Sequence, residues 1–190
     1  MARLLETGLD LLDAENPHGL PAIKGWNIIN GQLTEASDGG RFESRNPANK
    51  DDLLGSFPRS TKDDVHAALD AAHAALPGWS STPAPTRGQI IGNMARLLLD
   101  LKDDIVRLET REIGKTLKES GGEVQEAIDT CLFFQAEGRR LYGQTVHSEL
   151  PNKELSTYRR PLGVCAIINA SNFPAAVPFW KIIPALICGN

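Results

Sequence analysis

Between residues 60 and 140 the apolar positions recur at three- and four-residue spacing, which predicts a run of amphipathic helices. Ser60 and Thr61 present hydroxyls to the first amides of one helix, and Asp63 and Asp64 suit the positive end of its dipole. Its apolar face would be Val65, Leu69, Ala72 and Leu76, and Pro77-Gly78 would end it. Thr86-x-x-Gln89 has the form of a capping box for a second helix to about Leu101, with Ile90, Met94, Leu97 and Leu101 inward. Asp103 or Asp104 would begin a third, running through Glu112 and stopped at Gly114 beside Lys115. Gly121-Gly122 would precede a longer fourth, to about Arg140, whose stripe Val124, Ile128, Cys131, Leu132 and Phe134 reads as core.

Outside that region the pattern changes. Residues 26–33 and 40–44 are short β-prone pieces around Gly39-Gly40, and 52–57 would continue the same small sheet. Residues 142–150 and 155–162 alternate like an exposed hairpin joined by 151–154. The leucines of residues 1–14, set between acids, read as a short amphipathic helix or a loose leader, with a break marked by Pro17 and Gly19. Residues 163–168 are almost wholly apolar, as in a strand covered on both faces of a parallel sheet. Asn169 to Pro174 then form a polar corner before a final helix, and ligands sit at such corners in open α/β sheets.

Composition narrows the function classes. With 41% hydrophobic residues in 190 the chain can bury a core, and a net charge of -4 gives no reason to expect nucleic acid or an anionic membrane as partner. Pro174 and Lys181 interrupt the most apolar stretch, so no membrane span is expected, and Glu6 and Asp10 are unlike a secretory signal. A cytoplasmic location is the expectation. Cys131, Cys165 and Cys188 form no metal or redox motif and read as small hydrophobes, and His66 and His73 lack a third ligand.

The carboxyl-terminal motif Pro161-x-Gly-Val, Ser171-Asn-Phe-Pro174, Trp180-Lys and Pro184-Ala-Leu-x-x-Gly-Asn190 resembles the aldehyde dehydrogenase superfamily. Ile29-Asn-Gly31, Asn46-Pro-Ala48, Trp79, Arg87, Glu112-Ile-Gly-Lys115 and Glu123 follow the family's order, so the resemblance covers residues 25–190. Members of that family are much longer than 190 residues, which implies an amino-terminal portion. The implied fold class is α/β, with helices and small antiparallel strands leading into the first strand-helix unit of a Rossmann-like parallel sheet. The implied organisation is a leader or helix over 1–24, the amino-terminal part of the cofactor-binding domain over 25–140, an oligomerisation hairpin over 141–162, and a truncated β-α unit over 163–190.

By the same resemblance Asn172 is the donor to the oxyanion, and Ile168, Asn169, Ala170 and Ser171 line NAD or NADP. An amide can donate without titrating. Read from the residues alone, Asn172 equally suits a helix cap. Many members place Pro-Trp where this chain has Ala170-Ser171, so the wall beside the substrate differs. The family's nucleophilic cysteine, its general-base glutamate and its pyrophosphate-binding glycine turn have no match among the 190 residues. The expectation is therefore oxidation of a small aldehyde by the complete protein, a homo-oligomer paired through the hairpin, and no turnover by this chain alone. A naturally short, noncatalytic assembly module is the alternative.

Overall fold

Two short strands, β1 (Asp10–Leu12) and β2 (Ala22–Lys24), pair antiparallel, and β2 in turn runs parallel to the long strand β6 (Asn49–Pro58). The computed structural model describes residues 10–12 and 22–190. Strand β5 (Arg41–Asn46) completes the sheet in the order β1-β2-β6-β5, while β3 (Asn27–Ile29) and β4 (Gln32–Thr34) form a separate hairpin. The stretch expected as a leader or helix thus contributes two strands instead. The remaining residues of 1–14, with Pro17 and Gly19, lie outside the described residues. The β-prone pieces at 26–33, 40–44 and 52–57 all become strand.

Helix α1 (Lys62–Ser81) starts as its first residues predict: Thr61 and Asp64 form a reciprocal capping box. It does not stop at Pro77 but continues one turn, through Trp79, whose indole N–H donates to the Leu186 carbonyl at 3.0 Å. That tertiary bond offsets the hydrogen bond the proline removes. The face expected to be inward is largely open, with Val65 and Leu69 exposed.

The second and third helices of the sequence reading are a single helix, α2 (Ala84–Ile113). Asp103 and Asp104 do not interrupt it, and its N-cap is Pro83 without a side-chain bond, so the Thr86 capping box is not formed. The buried stripe is also rotated by one residue. Arg87, Gly88, Ile91, Gly92 and Ala95 face inward, while Ile90 and Leu97 are exposed. Small residues win the inward face because α3 (Leu117–Glu137) approaches closely: a Cβ on Gly88 would stand 2.4 Å from the Gln135 carbonyl oxygen. Gly114 ends α2 in the left-handed conformation, φ +80°, as expected.

Thr116 and Glu119 cap α3, which begins before Gly121-Gly122 and not after it. Val124, Ile128 and Cys131 are buried as predicted, but Leu132 is exposed. Helix α4 (Ala176–Ile187) lies against α2 and α3, and Ile91, Ala95, Cys131, Ile183 and Ile187 form the core they share. Each buried isoleucine is worth roughly 1.5–3 kcal/mol of burial. The sheet is tied to α2 by Asp52 and Arg111, joined through two hydrogen bonds of 2.6 and 3.1 Å.

Residues 163–168 form no strand, contrary to the sequence reading. No backbone of another described segment pairs with them, and a strand is defined by its ladder. The hairpin is present but shorter than expected: β7 (Thr145–His147) pairs β8 (Glu154–Ser156) antiparallel, with every residue of both exposed. Among the described residues no helix is long and apolar enough to cross a membrane.

Candidate functional site

The polar corner 169–174 lies directly before α4, and its placement follows from how that helix is held. At the carboxyl end of α4, Trp79 takes the Leu186 carbonyl and Arg87 takes the Ile187 carbonyl, satisfying acceptors a helix terminus leaves free. At the amino end α4 has no cap of its own, since its N-cap is Ala175. Glu123 of α3 supplies one: its Oε1 accepts the amides of Ala175 at 2.8 Å and Ala176 at 3.2 Å.

Glu123 belongs to a buried charged cluster. Lys115 forms an ion pair with it, stands 3.7 Å from Glu109, and places its ammonium 3.8 Å over the centre of the Phe173 ring. Burial pushes the Glu109 carboxyl up to about 8, and its contact with Glu123 adds to this, while Lys115 pulls the other way. Burial also raises Glu123, but the neighbouring Glu109 and hydrogen bonds from Lys115, Ala175 and Ala176 outweigh it and hold the group below the ordinary carboxylate range. Among the described residues neither oxygen of Glu109 has a hydrogen-bonding donor, which with burial favours the protonated form of that carboxyl beside the Lys115–Glu123 pair.

The five residues singled out from the sequence sit together on the outside of this assembly. Ile168 is 88% exposed, and Asn169, Ala170, Ser171 and Asn172 are exposed as well. Lys181 of α4 donates to the Ile168 carbonyl at 2.9 Å, and Asn190 accepts the amides of Leu162 and Gly163 at 2.6 and 3.1 Å. The segment before the corner is therefore tied to α4 at one end and, at the other, to Asn190 just beyond it. The Asn172 side chain engages no other described residue by hydrogen bond, and it does not cap α4. Its amide is left available to a ligand.

An apolar groove of about 450 Å³ runs between α1, residues 164–167 and α4, lined by Trp79, Val164, Ile167, Ile182 and Leu186 among others. It does not include the corner. Cys165 lines this groove and is exposed, Cys188 is exposed, and Cys131 is buried in the core, where burial pushes its thiol up to about 11. A thiol so placed is neither accessible nor nucleophilic. Among the described residues no cluster could hold a metal ion, and His66 and His73 are both exposed on α1.

In the sequence Lys115 and Glu123 stand out only as motif positions, with no task attached to either. A signal was present: the segment before α4 ends Pro174-Ala-Ala, with no acid in the helix's first turn, so its amides needed an acceptor from elsewhere.

The family model described as "Aldehyde dehydrogenase family" matches residues 33–190. The α-ketoglutarate semialdehyde dehydrogenase of Haloferax volcanii is 39% identical over 164 residues, which is 86% of this chain and 34% of that protein. The succinate-semialdehyde dehydrogenase [NADP(+)] GabD of Escherichia coli is 41% identical over 162 residues, covering 85% and 33%. Among solved structures, an NADP-dependent enzyme of E. coli superposes with a TM-score of 0.83 at 40% identity, covering 86% of this chain and 34% of that one. An aldehyde dehydrogenase from Brucella melitensis gives 0.84 at 34% identity, covering 94% and 36%. The chain thus spans about a third of the length of the curated relatives it matches.

Proposed function

This chain belongs to the aldehyde dehydrogenase family, and we propose that it is the amino-terminal part of an NAD- or NADP-dependent enzyme that oxidises a small semialdehyde to the acid, in which Asn172 donates to the oxyanion. The observation that carries the reading is that Glu123, and not Asn172, caps α4, so an exposed primary amide remains in the corner with no hydrogen-bond partner among the described residues. When a thiolate adds to the aldehyde carbon, negative charge gathers on the former carbonyl oxygen. An Nδ2–H donor there lowers the barrier by roughly 3 kcal/mol.

Ile168, Asn169, Ala170 and Ser171 fit a cofactor-lining role. They are exposed, and among the described residues the backbone amides of 169–171 have no partner. Bound there, a nicotinamide would accept the hydride. Lys181 keeps the Ile168 carbonyl turned towards α4 and leaves the neighbouring amides free. Names of the relatives support the substrate class, since those from H. volcanii and E. coli are semialdehyde dehydrogenases, the latter with NADP(+).

The nucleophile and the base are not assigned to any residue here. Cys131 is buried with its thiol raised, and neither Cys165 nor Cys188 lies on the corner. The chain alone is proposed to be inactive. Purified, it should give no steady reduction of NAD or NADP with succinate semialdehyde, whereas the polypeptide extended by its downstream coding sequence should turn over. Turnover by this chain, or none by the extended protein, overturns the proposal.

The β7–β8 hairpin is proposed as an assembly element, supported by full exposure of its strands and of Val146, Leu150 and Leu155 around it. Light scattering on the extended protein should show an oligomer that Val146→Lys with Leu155→Lys dissociates. A location in the cytoplasm completes the proposal.

A further inference from the structure

We propose that Glu123 and Lys115 are positioning residues for Asn172, forming a two-point bracket on the segment immediately after it. The inference rests on the reading of Asn172 as the oxyanion donor. Lys115 holds the side chain of Phe173, the next residue along, by placing its ammonium 3.8 Å over the ring. Glu123 holds the backbone at 175 and 176 through its single oxygen Oε1. The two residues are ion-paired to each other, so the ring contact and the amide contacts belong to one rigid unit. Both lie on the α2–α3 side of the molecule, and Glu123 is 2% exposed, so α3 sets the place of the corner.

Charge explains why this bracket stays in register. Helix α4 has no acidic residue in its first turn, and the positive end of its dipole meets one fixed carboxylate, that of Glu123. The second carboxylate of the cluster, Glu109, keeps its proton and leaves Lys115 committed to Glu123. Phe173 also packs against Trp180 one helical turn into α4, with ring centroids 6.4 Å apart. A displacement of Lys115 would therefore move Phe173 and, with it, the adjoining Asn172.

Amide hydrogen exchange and side-chain NMR on the intact 190-residue chain test this without requiring activity. In Glu123→Ala the amides of Ala175 and Ala176 should exchange roughly tenfold faster, with exchange at Ile183 unchanged. Glu123→Gln keeps an accepting oxygen and should hold both amides near the parent rate. Lys115→Met should leave those amides protected, shift the Phe173 ring resonances and increase the mobility of the Asn172 side-chain amide. A role in packing alone would speed exchange along the whole of α4 and would not be rescued by Gln; either result overturns the proposal, as does an unmoved Asn172 in Lys115→Met. If Glu123→Ala fails to fold, the Gln and Met variants still decide. Failure of the oxyanion reading would appear elsewhere, as unchanged turnover in Asn172→Ala of the extended protein.

Discussion

The guanidinium of Arg87 holds the carbonyl oxygen of Ile187 with two hydrogen bonds, from Nε at 3.1 Å and from Nη2 at 3.0 Å. It also reaches the Thr82 and Ser80 carbonyls, so one side chain joins the α1–α2 corner to the end of α4. Arg87→Ala would leave the Ile187 oxygen buried without a donor, and unfolding in urea should show a loss of about 1–3 kcal/mol or more. Arg87→Lys should recover only part of this, because an ammonium cannot reproduce the planar fork.

Asp52 is 3% exposed and paired with Arg111. Arg111→Ala would remove the guanidinium that faces a buried carboxylate, at an expected cost of about 3–5 kcal/mol. Adding Asp52→Asn should restore part of the loss, since the buried charge that the guanidinium faced is then gone. Equilibrium denaturation of the single and double variants measures both.

Gly88→Ala should destabilise the chain by roughly 1–3 kcal/mol, because its Cβ would meet a backbone oxygen that cannot swing aside. An alanine at Gly78, where nothing stands nearby, is the control and should be harmless.

The raised Glu109 carboxyl predicts a pH dependence of defined sign. Between its ordinary value of 4.5 and about 8 the folded chain keeps a proton that the unfolded chain has released. Stability therefore falls as pH rises through that window. Glu123, whose carboxyl is lowered, acts below it: its contribution is lost as pH falls beneath the ordinary carboxylate value. Glu109→Gln should flatten the melting temperature between pH 5 and 8, and thermal unfolding across that range checks it.

Asn172→Ala should change the stability of this chain by no more than about 0.5 kcal/mol, because the side chain is exposed and unbonded. In the extended protein the same change should lower kcat on the order of 100- to 1,000-fold. Asn172→Asp should be no better, since a carboxylate cannot donate to an oxyanion. A large stability loss with normal kcat would mark the residue as structural.

Local signals were the legible ones. Thr61 with Asp64, Gly114 and the alternation on either side of 151–154 each identified a helix start, a helix stop and a hairpin, because the determining contacts lie within a few residues. Periodicity failed at α2, where the larger Ile90 and Leu97 were expected inside. The close approach of α3 rewards Gly88, Gly92 and Ala95 instead, and that spacing between helices is invisible along one of them. Residues 163–168 carry the composition of a buried strand but have no ladder partner among the described residues, and composition does not report whether one exists.

For the candidate site, the residues themselves located the corner. Its polar break after an apolar run was enough to mark Asn172, and family resemblance supplied the expected role. Which side chains hold the corner was decided only in three dimensions. Trp79, Arg87, Lys115 and Glu123 stand up to 44 positions apart in the chain, yet all of them close on α4 or the turn before it. Short-range hydrogen bonding and turn chemistry are written in neighbouring residues. The capping of one helix by another, and the raised carboxyl inside a buried cluster, depend on distances that only the packed chain creates.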